Sequence, residues 1–116
     1  MPIPVLIIEP RHEVAAALED VINGANFVAV VRPHLEELSD LGVRPAAIIV
    51  RVAFEGSGEP PHEAIKRLPI DHPPIVAIAT NGQAAIEAER LKCDVVLRAP
   101  GELRRLCETL GRLAHI

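Results

Sequence analysis

Short apolar runs alternate with longer amphipathic stretches along the whole chain. Val5–Ile8 (VLII), Phe27–Val31 (FVAVV), Ala46–Val50 (AAIIV), Pro74–Thr80 (PIVAIAT) and Asp94–Leu97 (DVVL) are brief and rich in branched apolar side chains. Continuous runs of this kind predict strands covered on both faces, as in a parallel sheet. Between them, apolar residues recur at spacings of three and four. Val14, Ala17, Leu18, Val21 and Ile22 define one helix face, ended by Asn23-Gly24. Leu35, Leu38 and Leu41 mark a short second helix closed by Gly42, and a third is expected from His62 to Leu68. A fourth runs from Gly82 to about Arg90, and a last one carries Leu103, Leu106, Cys107, Leu110 and Leu113 on one stripe.

Five strand–helix units within 116 residues predict an α/β domain with helices on both faces of a parallel sheet. Crossovers must be right-handed, and the flavodoxin-like strand order 2-1-3-4-5 is the common solution at this size. No linker, repeat or low-complexity stretch interrupts the pattern, so residues 1–116 are expected to form a single domain. In that order the topological switch lies between the C-terminal ends of the first and third strands. Those ends carry Glu9 and Arg51. Arg51 is out of keeping with the buried run before it, and it is expected in the crevice where such folds place their chemistry, facing Glu9.

Composition narrows the function classes. With two Phe and neither Tyr nor Trp, the core must be aliphatic and a base-stacking surface is disfavoured. The net charge is −4 and the basic residues are dispersed, so binding of nucleic acid by this domain is not expected. No apolar run approaches the ~18 residues of a membrane span. The N-terminal MPIPVLIIEP lacks the basic region and length of a signal peptide. Cys93 and Cys107 have no metal-ligand or CxxC spacing and read as free, buried thiols of a cytoplasmic protein. Gly56-Ser57-Gly58 lacks the Gly-Lys-Ser/Thr ending of a phosphate loop and reads as a connector. The five histidines lack ligand spacing and are expected in surface or capping roles. No nucleophile–base set can be placed at one crevice, so the chain is not expected to be an enzyme.

Taken together, these elements resemble the receiver domain of bacterial two-component response regulators over essentially the whole chain. VLIIEP resembles a receiver's first strand with its acidic pair, IVAIAT the fourth strand ending in Thr or Ser, and VVLRAP the fifth strand running into Lys-Pro. The resemblance implies a phosphoacceptor Asp ending strand three, two acidic residues for Mg²⁺, a hydroxyl after strand four and a Lys before the Pro. In this sequence Glu9 keeps one acidic position and Pro10 stands at the other. Arg51 occupies the phosphoacceptor position, Thr80 is retained, and Ala99 replaces the Lys before Pro100. A divalent ion needs carboxylate oxygens, and phosphoryl transfer needs a nucleophilic carboxylate. The expected protein is therefore a pseudo-receiver with no catalytic residue, no cofactor and no metal. It would act in signal transduction through phosphorylation-independent contact with a protein partner: an output domain, a kinase or another regulator.

Two further expectations belong to the resemblance: a homodimer through helices four and five, and a cis peptide at Ala99-Pro100. Arg51 itself has two readings. One is a salt bridge to Glu9 that neutralises the crevice. The other is a small-molecule sensor in which Arg51 and Thr80 hold a phosphate or carboxylate anion.

Overall fold

The structure is a computed structural model that describes residues 2–34, 38–54 and 59–114. Five parallel strands form one sheet: β1 (Ile3–Ile8), β2 (Phe27–Arg32), β3 (Ala47–Val52), β4 (Ile75–Ala79) and β5 (Val95–Arg98). Their order is β2-β1-β3-β4-β5, as expected from the sequence. Among the described residues three α-helices accompany them: α1 (His12–Asn23), α2 (Gly82–Arg90) and α3 (Leu106–Leu113).

Because side chains alternate along a strand, each central strand feeds two cores. Val5 and Ile7 of β1, Ile49 of β3 and Ile78 of β4 pack with Leu18 and Ile22 of α1 and with Leu106 and Leu110 of α3. Leu6, Ile8, Ile48 and Val50 face the other way, onto Ala64 and Ile65. On that second side Val52, Ala77 and Ala79 meet Ala84 and Ala88 of α2. Small residues on both partners let α2 lie close to the sheet. Each fully buried Ile, Leu or Val contributes about 1.5–3 kcal/mol, so these layers, aliphatic but for the buried Phe27, supply the driving force.

Polar side chains fix the element ends. Asn81 caps α2, its Oδ1 accepting the Ala84 N–H at 2.8 Å. Asn23 closes α1 and accepts the Ala29 N–H at 3.0 Å, tying the helix end to β2. Asp94 accepts the N–H of Ile75 at 2.7 Å and so aligns the start of β5 with that of β4.

Several expectations need correction. Segment Leu38–Leu41 is a single 3-10 turn, closed by Gly42 at a φ of 71° that suits glycine; Leu35 lies outside the described residues, as does Gly56-Ser57-Gly58. The segment expected as a third helix is a 3-10 stretch, Pro61–Arg67. Pro60 precedes it and Pro61 opens it, and Pro69 forces Leu68 into an extended conformation (ψ 143°), which stops any further helical turn. The last helix begins as 3-10 at Leu103–Arg105 and becomes α-helical only at Leu106. In α1 the buried stripe is Ala15, Leu18 and Ile22. Ala17 and Val21 face solvent, because the apolar arc is rotated by part of a turn from the one the spacing indicated.

Candidate functional site

Adjacent parallel strands keep their side chains in step, so the crevice can be derived from the register. Ile7 pairs with Ile49 and Ile8 with Val50. One residue further on, Glu9 and Arg51 stand side by side. Alternation places Glu9 with Ile7 and Arg51 with Ile49, both on the α1/α3 side of the sheet. Arg51 is the penultimate residue of β3, one position inside the strand end that the sequence indicated. Glu9 follows β1 directly and is held in line by its N–H, which donates to the Arg32 carbonyl at 3.1 Å.

The two side chains meet as a fork. Arg51 Nε donates to Glu9 Oε2 at 2.7 Å, and Nη2 donates to Oε1 at 3.0 Å. Glu9 Oε1 also accepts the backbone N–H of Arg11 at 3.0 Å, across the exposed Pro10, which carries the chain from β1 toward α1. Glu9 is 2 % exposed and Arg51 7 %. Two unit charges ~4 Å apart attract by about 4 kcal/mol at an effective dielectric of about 20. Desolvation offsets much of that gain, so the intact pair is close to neutral for stability. A single partner left behind is another matter: an uncompensated buried charge costs about 3–5 kcal/mol. The pair therefore specifies geometry more than it adds stability.

The remaining positions cluster at neighbouring strand ends. Thr80 is the first residue after β4 and its side chain is exposed. Ala99 is half-buried and its N–H donates to the Ala79 carbonyl at 2.9 Å, while Pro100 lies on the surface. The Ala99-Pro100 peptide is cis, as expected. The structure thus joins Glu9 to Arg51 in one buried unit, and places Thr80, Ala99 and Pro100 just past the ends of β4 and β5 without a charge among them.

A magnesium ion does not fit these residues. Pro10 has no side-chain ligand, both Glu9 oxygens face Arg51, and a cation would lie against a guanidinium. Among the described residues no group of three or more His, Cys, Asp or Glu could hold a metal ion. A depression of about 390 Å³ lined by Leu38, Arg44, Pro69 and Asp71 lies near the opposite, N-terminal strand ends, away from this crevice.

Solved structures share the architecture at low sequence identity. A response regulator receiver protein from Burkholderia phymatum is 22 % identical, with a TM-score of 0.70 and 96 % of each chain covered. The chemotaxis response regulator CheY4 of Vibrio cholerae is 17 % identical, with a TM-score of 0.74, covering 97 % of this chain and 99 % of that one. NtrX from Brucella abortus is 16 % identical, with a TM-score of 0.78 over 99 % of this chain but only 27 % of its own. The fold is that of a response-regulator receiver domain. No family model matches the sequence, and no curated protein matches it significantly. At these identities the likeness establishes the fold alone.

One residue departs from its expected role within this receiver fold. His62 is buried, not on the surface. Ala84 and Ala88 of α2 are fully covered by the sheet. What α2 turns outward is Ile86, 69 % exposed, beside Glu89 and Arg90. Both cysteines are free and half-buried; burial, with Asp94 nearby, pushes the Cys93 thiol up to about 11.

Proposed function

We propose that residues 1–116 are a single, degenerate receiver domain that takes part in signalling by phosphorylation-independent protein–protein contact. The buried, two-pronged Glu9–Arg51 pair carries this reading. At the position where a receiver would carry the phosphoacceptor there is a guanidinium, which has no nucleophilic oxygen. The charge a metal would otherwise neutralise is neutralised by the protein itself. The crevice then has one electrostatic state instead of two, and the domain works as a constitutive docking module and not as an enzyme.

The proposed contact face is made by α2, β5 and α3, where the domain would pair with a second copy or dock an output domain, a kinase or another regulator. Its support is the exposed Ile86 on α2 and a cavity of about 240 Å³ lined by Val95, Thr109, Arg112 and Leu113. The net charge of −4 weighs against nucleic acid as the partner. No helix among the described residues is long and apolar enough to cross a membrane, which accords with a cytoplasmic setting. The anion-sensor alternative loses ground, because Arg51 directs Nε and Nη2 at Glu9 and is almost wholly covered.

Incubation with a small acyl phosphate and Mg²⁺, followed by intact-mass measurement, tests the reading. The expected mass is unchanged. A stoichiometric, acid-labile phosphoryl adduct would overturn it.

A further inference from the structure

His62 is 3 % exposed, and the crevice chemistry makes no use of it. It sits in the 3-10 segment Pro61–Arg67, which packs on β3. Its ring meets Phe54 edge to face, with centroids 5.3 Å apart at 72°. Phe54, two residues beyond β3, is half exposed. The buried Nδ1 of His62 has no hydrogen-bond partner among the described residues. A bare acceptor is tolerated in such a place better than a bare donor, which assigns the ring proton to Nε2. Protonation would then set both a charge and an unpaired N–H in a dry site, and each is costly.

The charged groups around the ring are already engaged. Glu87 of α2 accepts from Arg90 at 3.0 and 2.5 Å. Within the segment, Glu63 is bonded by Lys66 at 3.1 Å. The charged residue of β3, Arg51, is paired with Glu9. Burial lowers the His62 pKa from its ordinary 6.5; Glu87 and Glu63 oppose this and Lys66 reinforces it.

We propose that His62 is an acid-sensitive pin, whose protonation releases Pro61–Arg67 and its contact with Phe54 while the rest of the sheet stays folded. The segment is suited to local opening. It is short, lacks α-helical hydrogen bonding, and buries chiefly Ala64 and Ile65. Its release uncovers Leu6, Ile8, Ile48 and Val50, turning a closed flank into an apolar surface at mildly acidic pH. The device is independent of the Glu9–Arg51 reading.

The sign follows from linkage. A histidine with a depressed native pKa stabilises the closed form fully above about pH 6.5, and that contribution is lost as pH falls toward the native pKa. NMR of the intact chain tests it, by combining the His62 ring titration with amide exchange from pH 8 to 4.5. Protection factors for residues 62–68 should fall about tenfold per pH unit below about 6.5, the signature of one proton, then level off. Amides of α1 and α3 should keep theirs, and His62→Phe should abolish the fall. A His62 ring that titrates at or above 6.5 overturns the proposal, as does an equal loss of protection in α1. So does an undiminished fall in His62→Phe. Should that variant not fold, the wild-type titration and the segment-to-helix comparison still decide.

Discussion

Replacing Arg51 with Ala removes the guanidinium and leaves the Glu9 carboxylate in a site where it is 2 % exposed. Of its described hydrogen bonds only the Arg11 N–H, at 3.0 Å, would remain. The expected cost is about 3–5 kcal/mol, the range for orphaning one member of a buried pair. That is a large share of the ~5–15 kcal/mol by which ordinary domains are stable. With a urea m value of about 2 kcal/mol/M, the unfolding midpoint should drop by about 2 M. The melting temperature should fall by roughly 12–20 °C, at about 4 °C per kcal/mol. The chain has no Trp or Tyr, so far-UV circular dichroism is the suitable probe. The double variant Glu9→Leu/Arg51→Met should recover most of the loss, because both charges go together. A residual deficit of about 1 kcal/mol is expected from the Arg11 N–H left without its acceptor. The reasoning fails if Arg51→Ala costs under about 1 kcal/mol, or if the double variant is as unstable as the sum of the singles.

Asn81→Ala removes the side-chain cap of α2 and should cost about 1 kcal/mol by urea titration; an unchanged midpoint would contradict the capping role. At pH 8, Cys93 should react with iodoacetamide roughly a hundredfold more slowly than a thiol at 9.0, given its value of about 11. Its rate should rise about tenfold per pH unit up to that value, and labelling as fast as an exposed thiol would contradict the burial. Light scattering should report the mass of a dimer, which Ile86→Glu dissociates; a monomer up to millimolar concentration would remove the proposed self-contact through α2 and α3.

The sheet was legible because each strand carries its own evidence. VLII, AAIIV and IVAIA are too short and too uniformly apolar for amphipathic helices, and their alternation with helical stretches fits a doubly covered parallel sheet. Glu9 and Arg51 were legible for the same reason: period two and a shared register bring them together once the strand order is known. The short segments were not. Whether His62–Leu68 is α or 3-10 depends on three prolines acting jointly, which apolar spacing does not record. The orientation of α2 was hidden as well, since Ala84 and Ala88 serve a lattice of small residues on β3 and β4 as readily as an outer surface. The burial of His62 depends on a tertiary contact with Phe54 that no local pattern encodes.

The central claim is that Arg51 has replaced a metal-dependent phosphoryl switch with a fixed ion pair. Its most direct test is a backbone and Arg side-chain NMR titration of the native chain with Mg²⁺, then beryllofluoride, an analogue of the phosphoryl group. Neither addition should produce saturable shifts at Glu9, Arg51, Thr80 or Ala99, and the Arg51 Nε–H should stay protected throughout. Saturable shifts at these residues, spreading to α2 and β5, would show a working phosphoryl site and contradict the claim.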